Sequence, residues 1–396
     1  MRASEKIAHV QKLLAAHHVD GWLLYDFQKN NPLALEFLEI PLQRNLTRRF
    51  FYWIPAKGVP VKIVHRIEQQ ALEPFPGDKQ VYLRWQELEK ALKDLLVSLK
   101  VIAMEYSERC AVPYISKVDA GTMDLVKSFG VQVISSAPFL QEYSSVIDDK
   151  QIYSLKEAAE VIEMALEKAW SAIRQALKEE QVITDCDVQK IILEVFERHD
   201  CIANAPPHCA INADSADPHF TPNPKKPVKI KLGDFVLIDL WCKKKAPGAI
   251  YADVTRVGIA AKKPTPKQEE IFSIVRKAQK AATEFIRQKM ARGDNVKGYE
   301  VDQACRKVII EAGYGDYFIH RTGHNISTDV HGPGTHFDSL ETNDDRPVLK
   351  GTCTSCEPGI YLPGEFGVRL ENDLLIDREG KAHVIGGEQD DYVFLA

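Results

Sequence analysis

Four acidic residues stand inside apolar, strand-like runs in the second half of the chain. Asp239 lies in Phe-Val-Leu-Ile-Asp-Leu-Trp (235–241) and Asp253 in Tyr-Ala-Asp-Val-Thr (251–255). Glu357 lies in Cys-Glu-Pro-Gly-Ile-Tyr (356–361) and Glu371 in Val-Arg-Leu-Glu-Asn (368–372), so each pair is separated by 14 positions. An ionised carboxylate in an apolar strand is costly unless it is paired or binds metal. Four in one site would raise one another's pKa unless cations joined them. Three histidines, His320, His324 and His331, follow within 12 positions among glycines. Singly, each acid can face water or pair with a lysine or Arg369, and each histidine can be structural. Together, one imidazole and four carboxylates make an oxygen-rich set suited to manganese, cobalt or iron. Two divalent ions balance the four carboxylates.

The series Asp…Asp-x-Thr-Arg…Gly-His…Glu-Pro-Gly-x-Tyr…Arg-x-Glu resembles the pita-bread metallopeptidases: methionine aminopeptidase, aminopeptidase P and prolidase. The resemblance covers about residues 155–396. The His-x3-His-x6-His arrangement is most similar to aminopeptidase P and prolidase, which carry a creatinase-type N-terminal domain; residues 1–150 would fill that place. The resemblance implies that Asp239 chelates one metal, that His324 and Glu357 bind the other, and that Asp253 and Glu371 bridge them, with Thr255 in support. Glu357 would also shuttle a proton, and His331 and His219 would act from the substrate side. His219, in Asp-Pro-His-Phe (217–220), matches the histidine that precedes the first Asp, with His208, in Pro-Pro-His-Cys (206–209), as its competitor. His320, Tyr361 and Arg369 would line the substrate site, unless Arg369 pairs with a carboxylate.

The implied cofactors are two divalent ions, manganese first, with cobalt, zinc or iron(II) as alternatives. The implied activity is hydrolysis of the N-terminal Xaa-Pro bond of peptides by a hydroxide held between the two ions. The expected partner is a peptide with proline second, and the expected form a cytoplasmic homodimer that binds neither nucleic acid nor membrane. A prolidase-type Xaa-Pro dipeptidase is one alternative. A non-catalytic pita-bread binding module is another, although lost ligands normally mark such domains and all five are present. Some departures border the cleft: a longer Asp239–Asp253 hairpin with Lys243-Lys244-Lys245 inserted, Trp241 where glycine is common, Asn325 where glycine is frequent, and Gly332 where an acid is frequent.

The elements that must position these residues can be read from periodicity. Residues 3–17 predict an amphipathic helix and 21–27 a buried strand. Residues 49–54 and 59–64 flank Pro-Ala-Lys-Gly, which has hairpin chemistry, and 85–99 predict a helix before a strand at 101–105. Beyond a boundary near 145–154, Ser154-x-x-Glu157 predicts a capping box at the start of a helix, and Thr184-x-x-Asp187 starts a second. Strands are expected at 235–240 and 251–259. A long helix follows Pro264-x-Pro266, another covers about 301–312, and strands resume at 351–357 and 367–376. The order helix–helix–strand–strand thus occurs twice. The fold class is α+β: a pita-bread catalytic domain at 151–396 behind a smaller α/β creatinase-type domain at 1–150.

Composition sets outer bounds. At 396 residues, about two domains are expected. Net charge is −5, which argues against a generally basic nucleic-acid binder. No apolar run is long enough for a transmembrane helix. Met1 to Ala16 carries Arg2, Glu5, Lys6, His9 and Lys12, unlike a secretory signal. The 8 cysteines are mostly scattered, as in a reducing compartment, and the lone Cys353-x-x-Cys356 lacks a partner pair for zinc. The Asn-x-Ser/Thr sites at Asn45 and Asn325 are expected to be chance matches, and Lys243–Lys245 a solvated hairpin tip. P-loop, G-x-S-x-G and H-E-x-x-H motifs are absent.

Overall fold

In the computed structural model, which describes residues 3–396, the chain up to Ser144 forms one unit and Ser145–Ala396 another. The first unit is a sheet with helices on both faces. Its strands are β1 (Gly21–Asp26), β2 (Phe50–Pro55), β3 (Val61–His65), β4 (Asp78–Tyr82), β5 (Val101–Met104) and β6 (Gln132–Ser135), in the order β4-β3-β2-β1-β5-β6. β2 runs antiparallel to β1 and β3, while β1, β5 and β6 are mutually parallel, as are β3 and β4. Alternation along β1 splits its side chains between two cores. Trp22 and Leu24 meet α1 (Ala3–Ala16), α2 (Pro32–Phe37) and α5 (Ala137–Ser144). Leu23 and Tyr25 meet α3 (Trp85–Leu96) and α4 (Ala120–Ser128). Strands buried on both faces read as continuous apolar runs, as Gly-Trp-Leu-Leu-Tyr does.

The second unit opens with α6 (Asp149–Lys178). It starts earlier than the Ser154 signal indicates, because Asp148 caps Gln151 N–H and Gln151 answers to Asp148 N–H. Ser154 instead donates to Gln151 O and accepts from Ile250 N–H. The next helix, α7 (Asp185–Arg198), is capped by Thr184 and Asp187 as expected. The short β7 (Cys201–Ile202) and β8 (His208–Ile211) both pair with β9 (Phe235–Lys244), which pairs with β10 (Ala252–Ile259). The pattern then repeats with α8 (Pro266–Ala291) and α9 (Gly298–Glu311). It continues through β11 (Asn325–Ile326), β12 (Thr352–Cys356), β13 (Gly359–Leu362), β14 (Phe366–Arg369), β15 (Asn372–Ile376), β16 (Ala382–Ile385) and β17 (Val393–Phe394). Leu155, Ile162 and Ile173 of α6 pack on Val236, Ile238 and Val254 of the first strand pair. Ile271, Val275 and Ile286 of α8 pack with Val301 and Ile309 of α9 and with Leu374 and Ile376.

Two further expectations need correction. The strand expected over 367–376 is two strands in different sheets: β14 pairs with β13, and β15 with β12 and β16. The chain breaks at Leu370–Glu371, where Leu370 N–H bonds Pro358 O and Glu371 N–H bonds Thr255 O. Nor are the three lysines a solvated tip. Lys243 donates to Thr328 O (2.5 Å) over the Tyr251 ring, and Lys244 donates to His199 O, leaving Lys245 exposed. Cys353 and Cys356 are buried free thiols within β12. Asn325, fully buried, cannot serve as a glycosylation site.

Candidate metal centre

The β9–β10 register sets Thr255 opposite Asp239 and Trp241 opposite Asp253. Positions two apart share a sheet face, so both aspartates point to one side. From the second half, Glu357 stands just beyond β12 and Glu371 in the break before β15. His324 is fixed by its N–H to Ser355 Oγ (2.9 Å). The preceding Gly323 lies so close to β12 that a Cβ there would fall 1.8 Å from Ser355 O.

These side chains share a cavity of about 760 Å³. Asp253, His324 and Glu371 offer ligand atoms within 4.8 Å of one another. Glu357 Oε1 lies 3.5 Å from His324 Nε2. Asp239 stands slightly apart, held at Oδ2 by Arg369 Nη2 (2.6 Å) and at Oδ1 by Thr255 Oγ1 (3.1 Å). Thr255 also donates to Glu371 Oε2 (2.6 Å). Asp253 Oδ1 and His324 Nδ1 are buried with no hydrogen-bond partner among the described residues. Buried polar atoms are normally satisfied. The orphaned Asp253 Oδ1, in a cluster of hard oxygens that His324 Nε2 faces (3.7 Å from Asp253 Oδ2), fits divalent cations, which these residues are able to hold.

Electrostatics fit as well. Burial first, then the neighbouring Glu371 and Asp239, push Asp253 well above the usual carboxylate range. Burial and Glu357 do the same to Glu371. Burial raises Glu357 to about 7. Asp239 differs: burial pushes it up, but the Arg369 guanidinium, His208 and the Thr255 hydroxyl together offset this and hold it below its ordinary value. Burial, then the neighbouring His331, holds His324 well below the ordinary histidine range. Metal-free, the cluster carries too much like charge for its depth.

His219, His320, His331 and Arg369 line the same cavity, with His219 and His331 on its open, exposed side. The His331 ring meets His324 edge-on at 4.3 Å. Tyr361 stands behind the wall, its hydroxyl donating to His320 Nε2 (2.7 Å) and accepting from Arg369 Nη1 (3.1 Å). His320 Nδ1 faces Arg321 O (2.7 Å), which assigns the tautomer. Burial, aided by Arg369, drops His320 to about 3, so the ring is neutral. His208 also reaches the cavity. It sits opposite Asp239 in the β8–β9 register, with Nδ1 3.3 Å from Asp239 Oδ2. The two competing histidines therefore both reach the site, one against a carboxylate and one on the open wall.

Sequence reasoning missed Arg321, which is buried and lines the cavity, and Asp373, which accepts Asp253 N–H (3.0 Å). Asp373 follows Glu371 by two positions, a signal available in the sequence. Trp241, noted only as a departure, lines the cavity and donates Nε1–H to Asn204 Oδ1 (2.6 Å).

Residues 154–378 match metallopeptidase family M24. An Xaa-Pro dipeptidase from Pyrococcus furiosus is 33% identical over 265 residues, 65% of this chain and 69% of that one. The structure of dipeptidase PepE from Mycobacterium ulcerans superposes with a TM-score of 0.71 at 21% identity, covering 100% of this chain and 98% of that one. That of an Xaa-Pro dipeptidase from Bacillus anthracis gives 0.63 at 24% identity, with 99% of each chain covered.

Proposed function

The chain belongs to metallopeptidase family M24, and from that premise we propose that it hydrolyses the Xaa-Pro bond at the N-terminus of short peptides at a dinuclear metal centre. Its fold is that of the pita-bread peptidases, with the smaller α/β unit ahead of the catalytic one. The observation that carries the proposal is the cluster of five ligand-type side chains in one cavity, with Asp253 Oδ1 left unsatisfied.

Asp239, Asp253 and Glu371 hold one ion, and Asp253, His324, Glu357 and Glu371 the other. When bound, two divalent ions activate a water and polarise the scissile carbonyl. Glu357, raised to about 7, is suited to accept a proton near neutral pH and return it to the leaving nitrogen. His331 and His219, on the open wall, donate hydrogen bonds to the substrate carbonyl and to the charge that develops on it. Arg369, Tyr361 and His320 form a chain that holds Asp239 in place. Arg321 supplies a cation for a substrate carboxylate, and the relatives named Xaa-Pro dipeptidase support a dipeptide substrate over a longer peptide. Manganese, a homodimer and a cytoplasmic setting complete the proposal.

The test is mass spectrometry of peptide mixtures with the manganese-loaded protein. Ala-Pro and Leu-Pro should be cleaved and Ala-Ala left intact, while Ala-Pro-Ala separates dipeptidase from aminopeptidase. Removal of N-terminal Met from peptides without proline, with no action on Xaa-Pro, would reject the proline-directed reading. Metal analysis should approach two ions per chain and fall in Asp253→Ala.

A further inference from the structure

The first unit holds a second cavity, of about 790 Å³, that the peptidase reading does not use. Strand order explains where it lies. From β1 the chain adds β2, β3 and β4 on one side, then returns to lay β5 and β6 on the other. β1 and β5 run parallel. Where successive connections leave a sheet in opposite directions, a crevice opens beyond the carboxyl ends of the strands, and open α/β sheets bind ligands there. The cavity occupies that place. Phe27 and Asn31 follow β1, Lys117 and Asp119 follow β5, and His65 and Tyr82 end β3 and β4.

Its lining is cationic and aromatic. Arg48, Arg49 and Lys117 face it, and among the described residues no carboxylate pairs with any of them. The single acid on the wall, Asp119, is already engaged. Its Oδ2 accepts the Tyr25 hydroxyl and Thr122 Oγ1–H (2.8 Å each), and its Oδ1 accepts Thr122 N–H (2.9 Å). Arg49 is half-buried, and the Tyr82 hydroxyl fixes its backbone carbonyl (2.7 Å). Burial raises both Tyr25 and Tyr82 above their ordinary range, and the nearby Arg49 guanidinium opposes that rise in each. Arg49 shares the cavity wall with Tyr25 and Tyr82 and forms no ion pair among the described residues, which suits it to carboxylate or phosphate. Trp85, 58% exposed, adds a further ring at the rim. A volume near 790 Å³ is that of a small-molecule site.

We propose that this cavity binds a small anion borne on a flat ring, an aromatic carboxylate or phosphate monoester. Arg49 and Lys117 hold the charged group, and Tyr25, Tyr82 and Trp85 hold the ring. The proposal is independent of the peptidase reading.

The test is calorimetric titration of the full-length, metal-loaded protein with phenyl phosphate, phenylacetate and benzyl alcohol. At least one of the two anions should bind once per chain, and the stronger identifies the headgroup. Benzyl alcohol, which lacks the charge, should bind at least about tenfold more weakly, as should the anion to Arg49→Gln. Metal content and Tm should match wild type in that variant. Trp85→Ala, at an exposed position, gives a second reading should Arg49→Gln fold poorly; it should weaken the anion severalfold. Absence of binding by either anion at millimolar concentration overturns the proposal. So does undiminished binding to Arg49→Gln, Lys117→Gln and Trp85→Ala, which would place the anion elsewhere, such as at Arg321 and Arg369 in the catalytic cavity.

Discussion

Glu357 and its neighbours show how one cluster sets both stability and chemistry. Asp253 and Glu371 have pKa values raised well above the ordinary range, and Glu357 stands at about 7. A carboxyl raised by folding stabilises the protein while protonated, and that stability is lost as pH climbs from the unfolded value near 4.5 through the folded one. The metal-free protein should therefore melt lower at pH 8 than at pH 6, and manganese should cancel the difference; differential scanning fluorimetry reads both. Cation uptake should release protons, seen as a buffer-dependent binding enthalpy. Glu357→Gln should keep the fold, weaken one ion and lower kcat by roughly 10²–10⁴-fold. His331→Ala should retain both ions and lose roughly 10²–10³-fold in kcat with little change in KM. A Tm drop at unchanged kcat would instead make His331 a structural residue. Residue types were legible in the sequence because acids in apolar runs are conspicuous. Arg321 was not, since an arginine beside a histidine looks like any surface cation.

Secondary structure was legible where local chemistry decides it. Thr184 with Asp187 caps a helix where the sequence places it, and the helix expected after Pro264-x-Pro266 starts at Pro266. The start of α6 was misjudged because Asp148 with Gln151 is an equally good box upstream of Ser154. The break at Glu371 was invisible, since long-range bonds to Pro358 O and Thr255 O impose it. Two departures that look separate in the sequence are one change in the structure. Buried Asn325 donates to Cys353 O and accepts Gly334 N–H. A Cβ on Gly332 would lie 2.4 Å from its Oδ1, so the asparagine occupies the space of a side chain at 332. Gly332→Ala should destabilise by about 1–3 kcal/mol through overpacking. In an Asn325→Gly background the same substitution should cost less, and a double-mutant cycle in urea measures the coupling. Additive effects would show that the two positions are independent.

At the scale of the molecule, the proposed metal ligands all belong to residues 145–396, and the aromatic–cationic cavity to the first unit. A ligand that binds only the native form at 100 times its Kd stabilises by about 2.7 kcal/mol. Manganese should therefore raise hydrogen-exchange protection in β9, β10, β12 and β15 and leave β1 and β5 unchanged; protection spread evenly over both units would contradict this assignment. The alternation of helices and strands revealed the two-fold pattern in the second unit with two acids to each strand pair, and His324 adds a third candidate ligand to the second copy. Asp239 and Asp253 stand on the first strand pair, and Glu357 and Glu371 beside the second. That division has a consequence in time. A ribosome delivers the first aspartates long before the last glutamate, and no intermediate length of chain owns a complete set of donors. Full loading of the proposed two-ion centre therefore has to wait until synthesis has passed residue 371 and both halves have found each other.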